Sequence, residues 1–293
     1  MQKVTFIGLG VMGFPMAGHL ARAGYPVTVF NRSPSKAAEW LAVYSGTSGS
    51  TPAAAAAEAE VVITCVGADK DLREVLLGAD GAMIHARRGT VFIDHTTASA
   101  DIAREMRGEA LARGCEFIDA PVSGGQQGAE RGALTIMAGG DAEAFSAVKE
   151  LLSVYAREVQ LLGPSGSGQL CKMVNQICIA GLLQGLAEGL NFANRAGLDA
   201  EQVVAVISQG AAQSWQMQNR YATMLAGQYD HGFAVDWMRK DLSLALQEAN
   251  NNGAALPVTA LVDQFYSDVQ RLGGRRWDTS SLLARLQALQ YEE

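Results

Sequence analysis

The chain has 293 residues, 48% apolar and 18% charged, which is enough for two domains with real cores and excludes a disordered polymer. Its net charge is −7 and no run of Lys or Arg exceeds two residues, so the concentrated basic face that a nucleic acid partner needs is missing. The four cysteines lack CxxC spacing and the four histidines are scattered, which favours a reducing compartment and gives no metal site.

Met1 to Gly8 run straight into a strand pattern with no signal-type region before it, so the cytoplasm is the expected compartment. Short apolar, β-branched runs follow at Val4–Ile7, Val27–Phe30, Val61–Val66, Thr90–Ile93 and Glu116–Ile118. Helix-like stretches separate them at Met12–Ala23, Ser35–Leu41, Asp69–Leu77 and Ala100–Arg113, and the alanine run Ala53–Ala57 reads as one more helical segment. Strands alternating with helices predict crossover units and a parallel sheet covered on both faces. Two further strand candidates, Leu134–Ala138 and Glu158–Leu161, flank a helical Ala142–Tyr155 and are expected to extend that sheet.

After Gly163-Pro164 the pattern becomes wholly helical. An uninterrupted helix is expected from Gly168 to Ala196, stopped by Gly197. Further helices are expected at Ala200–Gln209, Met217–Leu225, Trp237–Asn250, Val258–Leu272 and Ser280–Leu289, parted by turn clusters such as Asn250–Gly253 and Gly273-Gly274. The most apolar stretch, Ile177 to Leu190, is broken by Gln184 and Glu188, so no membrane span is expected. The fold class is thus α/β: a doubly wound parallel sheet over residues 1–163, then an all-helical domain over residues 164–293, joined by the long helix.

Gly8-Leu9-Gly10-Val11-Met12-Gly13 follows the first strand and opens the first helix. In a dinucleotide-binding unit the first glycine permits the tight turn, the second lets backbone approach a pyrophosphate, and the third lets helix and strand pack closely. The helix N-terminus then offers N–H groups and a positive dipole to the phosphates. The second strand ends in Asn31-Arg32-Ser33. A carboxylate near this position binds a ribose 2′-hydroxyl, whereas an arginine suits a 2′-phosphate. The expected cofactor is therefore NADP (as NADPH), with NAD possible.

Four blocks in order identify the chain as similar to the β-hydroxyacid dehydrogenase family, which includes 3-hydroxyisobutyrate dehydrogenases, tartronate semialdehyde reductases and glyoxylate/succinic semialdehyde reductases. They are Phe6 to Ala17, Asp119-Ala120-Pro121-Val122-Ser123-Gly124-Gly125, Gly166 to Gln176, and Lys240-Asp241-Leu242, so the resemblance covers essentially the whole chain. It implies a Rossmann domain followed by a helical domain. It also implies that Lys172 is catalytic, that Ser123, Gly124 and Gly125 hold a substrate carboxylate, that Asn175 positions the substrate, and that Lys240 lies beside the nicotinamide. Further cofactor contacts are implied for the loop at Val66 and Gly67 and for the Thr96-Thr97 turn. Many members have Leu-Pro where this chain has Val66-Gly67, and some have Asn-Asn where it has Asn175-Gln176.

The chemistry is coherent on its own terms. Reducing a carbonyl needs a hydride donor and a proton for the developing alkoxide, and a lysine can supply that proton. Lys172 and Asn175 lie three apart on a helix and share a face, expected to look across an interdomain cleft. Serine followed by two glycines offers a hydroxyl and unobstructed N–H groups to an anion. The expected function is interconversion of a small 3-hydroxy acid and its semialdehyde by a lysine acid/base, in a homo-oligomer (dimer or tetramer). Two alternatives share the fold: an imine reductase, against which Lys172 argues, and a non-catalytic NADP-binding protein. Gln213, Ser214 and Trp215 are candidates for the outer substrate wall.

Overall fold

The structure, a computed structural model, describes residues 1–289. In the first part, apolar strands β1 (Val4–Ile7), β2 (Val27–Phe30), β3 (Thr47–Ser48), β4 (Val61–Thr64), β5 (Val91–Asp94) and β6 (Glu116–Asp119) form one sheet. Its order is β3-β2-β1-β4-β5-β6 and every pairing is parallel. β1, β4 and β5 are buried at every position, which is why they read as continuous apolar runs rather than alternating ones.

The intervening helices are α1 (Gly13–Arg22), α2 (Pro34–Leu41), α3 (Pro52–Ala56), α4 (Asp69–Leu77) and α5 (Ala100–Ala112). Local chemistry starts several of them. Pro34 and Pro52 occupy first-turn positions where a missing N–H costs nothing, and the Thr51 and Ser99 hydroxyls accept from first-turn N–H groups of α3 and α5. The strand order turns back at β1 and β4, so the loop leaving β1 stands at the topological switch point.

The next segments do not extend that sheet. β7 (Val122–Ser123), β8 (Leu134–Ala138) and β9 (Ala156–Leu161) form a separate sheet, with β7 antiparallel and β9 parallel to β8; helices α6 (Gly125–Glu130) and α7 (Ala142–Leu152) lie between them in sequence. The chain turns away at Pro121, which has no N–H to give to a ladder, and an antiparallel bridge between Asp119 and Gly139 joins the ends of the two sheets. Both sheets nonetheless share one core: Phe6, Val29 and Ile63 cluster with Leu134, Ile136 and Val148.

The second part is helical: α8 (Ser167–Arg195), α9 (Ala200–Ile207), α10 (Trp215–Leu225), α11 (Val235–Asn252), α12 (Pro257–Arg271), a 3-10 turn at Thr279–Ser281 and α13 (Leu282–Ala288). The chain divides into two compact units, Met1–Lys172 and Met173–Glu293, and the division falls inside α8. The helical unit packs around Leu183, Leu190, Met224, Met238, Leu242 and Tyr266. Asp278 pins its loops, accepting from the backbone N–H groups of Phe233 (2.9 Å) and Ser280 (3.1 Å) and pairing with Arg220 at 3.2 Å. α8 is 29 residues long and reaches a mean hydropathy of 1.3 over its most apolar window, so by length and composition alone it could cross a membrane. The apolar 177–190 stretch, broken by Gln184 and Glu188, is only part of this longer helix, and 44% of the window is buried in the protein.

Candidate active site

The turn between β1 and α1 is built from glycines that sterics require. Gly8 has φ of +101°, and a side chain there would meet the carbonyl of Cys65; one at Gly13 would meet the carbonyl of Gly8. Gly10 faces open space. The first turn of α1 carries no acid and no side-chain cap, which leaves its positive end available to an anion. Such a surface, open above a glycine with an uncapped helix end beneath, fits a dinucleotide pyrophosphate.

The residues named around it divide into frame and surface. Leu9 is buried, and its N–H donates to Asn31 Oδ1 at 2.9 Å, while Asn31 Nδ2 donates to the Ser33 carbonyl at 3.1 Å. Asn31 therefore ties the two loops together. Val11, Arg32 and Ser33 are exposed. The Arg32 side chain is 91% exposed and its nearest charge partner is Asp71 at 3.5 Å, a long contact that a phosphate could displace.

At the carboxyl ends of β4 to β6 lies a polar layer of which motif reading named Thr96 and Asp119 but gave no role to Thr64, Asp94 and His95. Asp94 ends β5 and is fully buried; its Oδ1 accepts from Thr64 Oγ1 (2.7 Å) and from the Thr96 N–H (3.0 Å). Burial pushes its carboxyl up to about 7. Thr96 Oγ1 in turn accepts from the Val66 N–H at 3.0 Å, so the loops bearing Val66-Gly67 and Thr97 are braced against each other. His95 lies between the Ala120 carbonyl (2.6 Å) and the Tyr155 hydroxyl (2.8 Å), and burial lowers its pKa to about 4, so the ring is neutral at pH 7. The available signal was position: polar residues at the carboxyl ends of apolar parallel strands, where ligands of such sheets bind.

Asp119, at the end of β6, grips the start of α8. Its Oδ1 accepts from the Gly166 N–H (2.7 Å) and the Ser165 hydroxyl (3.3 Å), and its Oδ2 from the Gln169 N–H (3.0 Å). Burial raises the Asp119 pKa, against these donors. Gly168 allows the close approach, since a side chain there would strike the carbonyls of Met137 and Asp119. Gln169, itself buried, donates to the Thr96 carbonyl (2.8 Å) and accepts from the Ala98 N–H (3.0 Å). Lys172, also buried, follows one turn along the same helix. Four residues after Asp119, Ser123 pairs with Thr135 across the second sheet, and Gly124 and Gly125 continue exposed with φ of +130° and +62°.

In the helical unit Asn175 Nδ2 donates to Gln176 Oε1 (2.7 Å), Gln176 Nε2 donates to Asp241 Oδ2 (2.7 Å), and Lys240 Nζ lies 3.0 Å from Asp241 Oδ1. Asn175 and Lys240, far apart in sequence, thus belong to one polar chain linking α8 and α11. Gln213 and Ser214 precede α10, and Trp215 opens it. Among the described residues no cluster of His, Cys, Asp or Glu could hold a metal ion.

Comparison with known proteins places this architecture. Residues 3–163 match the family described as the NAD binding domain of 6-phosphogluconate dehydrogenase, and residues 166–286 the family described as NAD-binding of NADP-dependent 3-hydroxyisobutyrate dehydrogenase. The chain belongs to the β-hydroxyacid dehydrogenase family. An uncharacterized oxidoreductase of Shewanella frigidimarina is 62% identical over 98% of this chain and 99% of its own. The 2-hydroxy-3-oxopropionate reductase of Escherichia coli is 33% identical over 98% of each. Mycobacterium tuberculosis 3-hydroxyisobutyrate dehydrogenase, solved with L-serine, superposes with a TM-score of 0.88 at 29% identity, covering 98% of this chain and 99% of that one. This member of the family is an NAD(P)-dependent oxidoreductase acting on the CH–OH group of a hydroxy acid.

Proposed function

We propose that this dehydrogenase uses NADPH in preference to NADH to interconvert a small carboxylate-bearing semialdehyde and its 3-hydroxy acid, with Lys172 as the proton donor in reduction and the acceptor in oxidation. The observation that carries this reading is the placement of Lys172. It is a buried lysine one turn beyond a helix start that Asp119 and Gln169 fasten to the ends of β5 and β6. When bound, the reduced nicotinamide supplies the hydride. The protein's part is to present a proton to the developing alkoxide, and an ammonium held in a fixed position does so. Asn175 positions the substrate, and Ser123, Gly124 and Gly125 receive its carboxylate through a hydroxyl and unobstructed N–H groups.

On this reading residues 1–163 bind the dinucleotide and residues 164–293 close the substrate site and make the oligomer. Gly8, Leu9, Gly10, Val11, Met12, Gly13, Asn31, Arg32, Ser33, Val66, Gly67, Thr97 and Lys240 form the cofactor site. The exposed Arg32 and the neutral Asn31 support a 2′-phosphate. The exposed Val174, Leu182 and Phe192 of α8 support a homodimer or tetramer, and free cysteines suit the reducing cytoplasm.

The test is a panel of semialdehydes and hydroxy acids run with both cofactors. NADPH should bind more tightly than NADH, and Arg32→Asp should reverse the order; equal or tighter NADH binding by the wild type removes the cofactor assignment. An acid substrate should exceed its amide by roughly a hundredfold in kcat/KM, given about 1.5–3 kcal/mol for each charge-assisted hydrogen bond. Equal efficiencies would leave the Ser123 turn a structural one.

A further inference from the structure

The Gln169 side chain satisfies both backbone groups presented to it by one loop, donating to the Thr96 carbonyl and accepting from the Ala98 N–H. Between those two residues sits Thr97. The backbone N–H of Gln169 is held by Asp119, the carboxylate that also fixes Gly166. Gln169 is 1% exposed, so both loop groups would lie unpaired and dry without it. One turn further along α8 comes Lys172.

We propose that Gln169 is a positioning residue, which keeps Lys172 in register with the bound cofactor by bolting the start of α8 to the loop Thr96–Ala98. The inference rests on the reading that Lys172 donates the proton and that the Thr97 loop faces the cofactor. Its physical content is geometric. Proton delivery tolerates little misplacement, and a loop and a helix that share two buried hydrogen bonds cannot slide past each other without breaking both. Apolar contacts alone would permit such sliding, because they are not directional.

Two variants test it. Gln169→Met keeps the length and volume and removes both hydrogen bonds. It should lower kcat by between about 10- and 100-fold and weaken NADPH binding, read independently from cofactor fluorescence. In Gln169→Glu the protonated acid reproduces donor and acceptor, whereas the carboxylate would face the Thr96 carbonyl. Its kcat relative to wild type should therefore rise as pH falls from about 8.5 to about 6, because burial raises a glutamate's pKa. The titratable and charged groups fastened to the same segments are Asp94, which accepts from the Thr96 N–H, His95 next to it in the chain, Asp119, which accepts from the Gln169 N–H, Asp69, which accepts from the Ser99 N–H, Arg104 beside Gly166, and Lys172 one turn along α8. All are present in the wild type, so the ratio isolates residue 169. A Met variant with wild-type kcat and NADPH affinity and only a lower Tm overturns the proposal. If that variant does not fold, a pH-independent ratio for Gln169→Glu overturns it equally. Should Lys172→Ala itself retain turnover, the lysine reading has failed, and the NADPH affinity of the Met variant then decides on Gln169 and the loop alone.

Discussion

The two units bury their carboxylates in opposite ways. In the sheet unit Asp94 and Asp119 are held by hydroxyls and backbone N–H groups. In the helical unit Asp241, Asp263 and Asp278 lie against Lys240, Arg239 and Arg220. The difference follows from what each architecture has to offer. Chain leaving the carboxyl ends of parallel strands presents unpaired N–H groups that converge on a carboxylate. Helix interiors have spent theirs on one another, so each of these acids also draws on a cationic side chain, beside the Gln176 amide at Asp241 and the loop N–H groups at Asp278. Dipoles orient without adding net charge and leave room for an anionic cofactor nearby, whereas ion pairs lock helices together.

If that contrast is right, the helical unit should suffer most from losing an acid. Asp278→Ala strands Arg220 and frees the backbone at Phe233 and Ser280, and should cost about 3–5 kcal/mol, read as a lower urea midpoint. The double variant Arg220→Met/Asp278→Ala should recover part of that loss; full additivity of the two single effects would deny the pairing.

A smaller effect, of the opposite kind, is expected in the sheet unit. The folded pKa of Asp94 is raised, to about 7 from an ordinary 3.8, so the folded state holds its proton more tightly than the unfolded one. Its contribution is full below the unfolded pKa and drains away as pH rises through the folded one, at up to about 1.4 kcal/mol per pH unit. His95 works in the other direction: its folded pKa is lowered, so its contribution is lost as pH falls from 6.5 toward 4. Asp94→Asn keeps the oxygen that Thr64 and Thr96 need and removes the titration. The stability of the wild type minus that of the variant should therefore decline from pH 4 to pH 7. Parallel curves would mean that Asp94 is ionised throughout.

How far the sequence could be read followed from the range of the interactions. β1, the glycine turn, α1 and β2 were legible because each is set by neighbours in the chain: burial on both faces, steric need for glycine, a polar strand end. In the second sheet β8 and β9 were legible as strands, but β7, α6 and the separation from the first sheet were not. Val122–Ser123 is too short to show a period, and α6 begins Gly-Gln-Gln-Gly, with no apolar stripe to mark it. The family blocks pointed to Lys172 and Ser123, but the contacts that fix them join residues distant in sequence: Gln169 reaches Thr96, and Asp119 reaches Gly166. No local spacing announces a bond of that kind. Asn31 shows the same. Its place after β2 could be read, but not that its amide braces Leu9 and Ser33.

The central claim is that a lysine rather than any other group delivers the proton. Lys172→Ala, assayed in single turnover with NADPH and a semialdehyde acid, addresses it most directly. The hydride-transfer rate should fall by about 10²–10⁴-fold, while NADPH affinity, proposed to rest on the turn at Gly8–Gly13 and on Arg32, should stay nearly unchanged. A variant that transfers hydride at close to the wild-type rate would contradict the account, because the proton would then come from elsewhere.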